Sequence, residues 1–102
     1  MLCVLVHRQL GVILHTARVQ DRARALELVE AELERLRRLG PRRVRALVGA
    51  PHDAEREGLT ISTTVGDEGD RLMVLVEAWR GRRTLATGGF AMHPDGTTVT
   101  PH

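Results

Sequence analysis

The chain has 102 residues and a single cysteine, Cys3, so an intramolecular disulfide is excluded and a reducing, cytoplasmic setting is expected. One domain spanning residues 1–102 is expected, because a chain of this length buries roughly 65% of its unfolded surface around a single core. All 15 basic residues are arginine, as GC-rich coding favours, and 13 acidic residues reduce the net charge to +2, too little for a strong field that draws in polyanions.

The opening segment, MLCVLVHRQLGVILHTARV, starts apolar but lacks the basic start of a secretion signal. His7, Arg8 and Gln9 interrupt the run well short of a membrane span, so no membrane partner is expected. Its β-branched residues predict two strands broken near Gln9 to Gly11, although Leu2, Val6, Leu10, Ile13 and Ala17 also fit one helical face. The strand reading is preferred.

A helix is predicted from about Asp21 to Leu39, with Asp21 as N-cap and Leu26, Val29, Leu33 and Leu36 as its apolar stripe. Gly40 followed by Pro41 is a strong stop signal. Glu27, Glu30, Glu32 and Glu34 precede Arg35, Arg37 and Arg38, a charge order that complements the helix macrodipole. Residues 43 to 48 predict a strand, and PHDAEREG at 51 to 58 reads as an exposed loop or a single helical turn.

Residues 59 to 65, LTISTTV, alternate strictly, placing Leu59, Ile61, Thr63 and Val65 on one face of a half-buried antiparallel strand. After the loop GDEGD, RLMVLVEAW at 71 to 79 is apolar on both faces at its start and reads as a central strand. Arg80-Gly81-Arg82-Arg83 fits a two-residue hairpin of type II′, with Gly81 at the first central position. A strand at 84 to 92 then returns alongside. With Arg80 opposite Arg83, Met73 falls opposite Phe90, Val74 opposite Gly89 and Leu75 opposite Gly88. Those glycines suit a closely packed helix or a bulge. His93-Pro94-Asp95-Gly96 has type I turn chemistry and leads to a short strand at 97 to 100. The expected order is therefore β-β-α-β-β-β-β, an α+β fold with a single helix at about 21–39 on a mostly antiparallel sheet.

Chemistry-bearing motifs are sparse. Ser62 lies inside an alternating strand, and Cys3 sits between apolar neighbours with no charge beside it to lower its pKa. His7, His15, His52, His93 and His102 are scattered without metal-ligand spacing, and Asp67, Glu68 and Asp70 match no calcium loop. No phosphate-binding glycine motif is present. No catalytic residue, metal or cofactor is therefore assigned. An enzyme reading would need a pocket uniting His52, His93 and Glu77.

The arginines are the one functional signal. RLRRLGPRRVR places Arg35, Arg37, Arg38, Arg42, Arg43 and Arg45 around the Gly40-Pro41 turn, and Arg80, Arg82 and Arg83 form a second basic tip. Were both tips on one side, they would follow a phosphate backbone or an acidic protein by shape, since Trp79 and Phe90 are the only aromatics available for stacking. The favoured expectation is a small non-catalytic module that acts by binding, as a homo-oligomer, because one helix leaves one sheet face uncovered. The alternative is backbone-reading binding of structured RNA or duplex DNA through the two basic tips.

Overall fold

In the computed structural model the backbone is described from Leu2 to Thr100 and side chains from Val19 to Thr100. The fold is α+β. A long helix α1 (Leu2–Leu39) and a short helix α2 (Pro41–Arg45) precede a five-stranded antiparallel sheet. The strands β1 (His52–Arg56), β2 (Leu59–Asp67), β3 (Leu72–Arg80), β4 (Arg83–Met92) and β5 (Thr98–Val99) lie side by side in sequence order. Such a meander needs only short connections, each closing a pair of antiparallel neighbours.

Three elements depart from the sequence expectation. The two predicted N-terminal strands are absent: α1 is continuous through Asp21, which is an interior residue and not a cap. Helix propagation explains this, since each β-branched residue costs only a few tenths of a kcal/mol once a strong Ala-, Leu-, Glu- and Arg-rich helix exists to extend. The helical alternative for Leu2, Val6, Leu10, Ile13 and Ala17 agrees with that backbone. The strand predicted at 43 to 48 is instead α2 and its exit, because Gly40 at φ 83 ends α1 and Pro41 stands at a favoured helix start. Residues 52 to 56, expected as loop, form the edge strand β1.

The core lies between one face of the sheet and α1. Ala25, Leu28, Val29, Leu33 and Leu36 of the helix are buried against Leu59, Ile61 and Val65 of β2, Leu72, Val74, Val76 and Ala78 of β3, and Phe90 and Met92 of β4. The helix stripe is rotated from the predicted one: Ala25 faces the sheet, while Leu26 is 48% exposed. The alternating strand at 59 to 65 buries the four residues expected of it, Thr63 included.

The β3–β4 register resolves the glycine question. Arg80 pairs with Arg83 as expected, but a bulge at Leu85 shifts the remaining pairs by one, giving Val74 opposite Phe90, Leu75 opposite Gly89 and Val76 opposite Gly88. The bulge lies near the hairpin and not at Gly88-Gly89. Its consequence is decisive for the core: because side chains alternate along a strand, the unshifted register would turn Phe90 away from the helix. Gly88 then lies under α1, where a Cβ would come within 2.8 Å of Leu33 Cδ1 and 3.2 Å of Val29 Cγ1.

Two hairpin turns use positive φ. Gly81 (φ 60) occupies the first central position of the β3–β4 turn, as a II′ geometry requires. In the β1–β2 turn both Glu57 (φ 53) and Gly58 (φ 76) are left-handed, the I′ pattern. Glu57 bears a strain of about 1–2 kcal/mol there that asparagine relieves in part. Its carboxylate accepts from Arg24 Nε at 2.8 Å, but both side chains are about half exposed, so solvent screens the pair and it offsets the strain only in part. Glu57→Asn is therefore expected to stabilise the fold by about 0.5 kcal/mol, read as a higher denaturation midpoint in urea. A lower midpoint would show that the ion pair outweighs the backbone strain.

Candidate association surface and basic tips

Among the described residues, the second face of the sheet has no covering layer. Along β2 that face carries Thr60, Ser62 and Thr64, and along β3 it carries Met73, Leu75, Glu77 and Trp79, all less buried than their alternating neighbours. Register divides it into two zones. Gly66, Met73, Ala91 and Val99 form one cross-strand row, flanked by Thr64, Leu75 and Gly89. Asp53, Ser62, Glu77 and Thr87 form another, flanked by Glu55, Thr60, Trp79 and Thr84. The first zone is apolar: Leu75 and Val99 are 43% and 54% exposed, Met73 is half-buried and Ala91 between Met73 and Val99 is buried. The second is rich in hydroxyls and carboxylates, with Thr60 Oγ1 donating to Glu55 Oε1 at 2.7 Å. Glu77 is half-buried on this open face, so the sheet places it opposite the core and not inside it.

The two sheet edges are poor sites for strand addition. Centring an antiparallel β1–β1 contact on Ala54 would set Asp53 against Glu55, a like-charge pair on each side of the centre. β5 has only two residues, which limits a further ladder.

The basic residues fall into two groups at opposite ends of the sheet. Arg45 Nη1 donates to Asp67 Oδ2 at 2.6 Å, which fixes α2 at the end of β2 next to the start of β3. Arg80 Nη2 lies 3.5 Å from Asp21 Oδ1, which fixes the β3–β4 hairpin beside the middle of α1. From Asp21 to Leu39 the helix rises roughly 27 Å, and eight residues of β3 span a similar roughly 26 Å. Nine guanidinium groups on one surface is therefore not the arrangement present.

Most of these arginines are engaged locally. Arg35 pairs with Glu32 at 2.5 Å, Arg38 with Glu34 at 3.2 Å, and Arg37 with Glu34 at 3.7 Å. Hydrogen bonding to Glu32 pushes the Arg35 pKa further up, leaving it charged at any accessible pH. Arg37 also stacks its guanidinium over the Phe90 ring, 5.0 Å from the centroid, closing the core at the end of α1. Arg42, Arg43, Arg82 and Arg83 are exposed and form no ion pair among the described residues.

The acidic loops serve the turns. The Gly69 amide donates to Asp67 Oδ1 at 2.8 Å and Arg45 adds a second contact, so the Asp67 pKa is lowered, chiefly by the backbone hydrogen bond. The Thr97 hydroxyl and amide both donate to Asp95 Oδ1, at 2.6 and 3.0 Å, and lower its pKa in the same way. Gly96 N donates to His93 O at 2.9 Å, the closing bond of the turn expected at 93 to 96.

His52, His93 and Glu77 do not converge. His52 stands on the helix side of β1, with Nε2 3.2 Å from Leu47 O, His93 follows β4 at the α2 end, and Glu77 occupies the opposite sheet face. Among the described residues no three His, Cys, Asp or Glu side chains are grouped to hold one metal ion. Cys3 and His7, His15 and His102 lie outside the residues with described side chains. No helix among the described residues is long and apolar enough to cross a membrane. No family model, curated protein or solved structure matches the chain. What the geometry defines is thus a helix-on-sheet α+β domain with one open sheet face.

Proposed function

We propose that this protein is a non-catalytic self-association module of the cytoplasm, in which the open sheet face packs against the same face of a second copy. The observation that carries this reading is the exposed pair Leu75 and Val99, with half-buried Met73 beside them, on a face that no described element covers. Because β1 has five residues and β5 two, against nine or ten in β2 to β4, strands about 4.8 Å apart offer roughly 550 Å² on this face. That is about two thirds of the roughly 800 Å² per partner of a standard interface, the size of a weak, concentration-dependent contact. Threonines and Ser62 around the apolar zone supply hydroxyls able both to donate and to accept, which suits a face that meets its own copy.

The test is the mass in solution of the parent chain and of Leu75→Glu. Leu75 makes no core contribution, so the variant is expected to keep its far-ultraviolet dichroism while its mass falls by half, because two carboxylates would meet across the symmetric contact. A monomeric parent chain at high concentration, or a variant of unchanged mass, would contradict the proposal.

A second reading, polyanion binding, draws support from Arg42 and Arg43 at one end and Arg82 and Arg83 at the other, all exposed and without carboxylate partners among the described residues. Their separation restricts each tip to two such guanidinium groups. Steeply salt-dependent binding of duplex DNA or structured RNA that Arg42→Ala and Arg43→Ala together abolish would favour this reading instead.

A further inference from the structure

We infer that the trough between α1 and the edge strand β1 binds a small monocarboxylate with an apolar body, whose carboxylate pairs with Arg56 and whose body lies on Ile61 beside the Thr63 hydroxyl. The helix is off-centre on its sheet, packing chiefly over β4 and β3 and scarcely reaching β1. A trough is left on the helix side of β1 and β2. Its volume is about 270 Å³, near the lower end of small-molecule sites, which run from roughly 300 to 1,000 Å³. Contacts tie its two walls together at either end of β1: the Arg24–Glu57 ion pair beyond Arg56, and His52 Nε2 at 3.2 Å from Leu47 O.

Thr63 points to a ligand. In the helix-facing row of Leu59, Ile61, Thr63 and Val65 it is the one polar member, and at 5% exposure it is the one buried polar side chain among the described residues. Its hydroxyl makes no hydrogen bond to a described residue. No side-chain oxygen or nitrogen among those residues is both sealed and unsatisfied, so the hydroxyl oxygen has access to the trough that Thr63 lines. Burying a hydroxyl without a partner costs stability, and valine, of nearly the same shape, would serve the core better. A polar atom entering the trough supplies the missing partner.

Charge sets the class of ligand. On the α1 wall Arg35 and Glu32 neutralise each other: Nε and Nη2 of Arg35 both donate to the Glu32 carboxylate, whose side chain is only 11% exposed. On the β1 wall Arg56 shares the helix side with His52 and Ala54, and it forms no ion pair among the described residues. Asp53 reaches the rim, but strand alternation turns its side chain to the open face beside Ser62. One guanidinium is thus left uncompensated. A carboxylate matches its charge and fits its fork with two parallel hydrogen bonds, whereas a dianion would leave one charge unmatched.

The remaining lining describes the body of the ligand. Leu47, Ala54 and Ile61 are apolar, which suits a short hydrocarbon chain. A carbonyl only accepts, so Nε2 of His52 carries the hydrogen directed at Leu47 O, and the ring is held as one end wall. The trough lies on the opposite side of the sheet from Leu75, so the site goes beyond the self-association reading and does not depend on it.

Titration of the isotope-labelled chain with isocaproate, followed by backbone amide chemical shifts, tests the site, with uncharged isocaproamide as the control. Saturable shifts are expected at residues 52–56, 61 and 63 with the carboxylate and not with the amide. Arg56→Gln, at an exposed edge position, is expected to weaken binding about tenfold or more, and Thr63→Val about two- to tenfold, each keeping the dispersed spectrum of the parent chain. Leu75→Glu is expected to bind as the parent does, which separates failure of this site from failure of the sheet-face contact. The inference is overturned by the absence of a saturable shift up to about 10 mM, or by an equal response to the amide. Shifts confined to the arginine tips, or parental affinity in Thr63→Val, would overturn it as well.

Discussion

Phe90→Ala is expected to destabilise the fold by about 3–5 kcal/mol, a large part of the roughly 5–15 kcal/mol available to a domain of this kind. Phe90 is the largest fully buried side chain and one of only two aromatics in the chain. Its ring faces the helix side of the sheet opposite Val74, and Arg37 lies across it. Truncation removes the transfer free energy of the ring, leaves a cavity that rigid sheet backbone collapses into poorly, and ends the stacking of Arg37. Urea denaturation reads the effect as a large drop in midpoint. A loss below about 1 kcal/mol, the range of surface changes, would mean that Phe90 is not the centre of the core.

Gly88→Val is the second large effect, at about 1–3 kcal/mol, and its cause is overpacking. A Cβ at Gly88 meets Leu33 Cδ1 and Val29 Cγ1 before the valine branches are added, so α1 has to lift from the sheet. Gly66→Ala is the internal control. That glycine is also in a strand, yet a Cβ there meets nothing within 4 Å, and the change is expected to be neutral or slightly stabilising. The contrast tests the register directly. Without the bulge at Leu85, position 88 would turn to the open face and valine would be tolerated there.

Both effects depend on a feature that local patterning does not encode. The turn Arg80-Gly81-Arg82-Arg83 and the run of 84 to 92 were legible, and so was the need for something to fill the space over paired glycines. The single extra residue at Leu85 was not, because a bulge is selected by what it does for the core: it turns Phe90 and Met92 inward and Gly88 toward the helix. Strand β2 was legible in full because one face is buried and the other open, which is the condition that produces strict alternation. β1 was illegible for the converse reason, being exposed on both faces, and the Glu57-Gly58 turn that makes its hairpin lacks the usual Asn or Asp. At the N-terminus local β preference pointed to strands, whereas the cooperativity of an adjoining strong helix governs the backbone. PRRVR likewise contains nothing that separates a strand from a helix except Pro41 just after the stop.

The candidate surfaces divide in the same way. The arginine clusters were visible as sequence, and the expectation that one sheet face would lack cover followed from counting one helix. Which residues of β3 occupy that face was not readable, since its first part is apolar on both sides. The structure assigns Leu72, Val74, Val76 and Ala78 to the core and Met73, Leu75, Glu77 and Trp79 to the open face. The distance between basic tips follows from topology: the α1–α2 junction and the β3–β4 hairpin close opposite ends of the same strand.

Trp79 makes the central claim measurable without any substitution, because the chain has no other tryptophan and this one lies on the open face. Its fluorescence emission would be recorded over a wide dilution series, with the solution mass taken at each concentration. Self-association through the sheet face predicts blue-shifted emission at high concentration that moves to the red on dilution, in step with a twofold fall in mass. Emission that stays at one wavelength while the mass halves would place the contact elsewhere on the molecule and contradict the account.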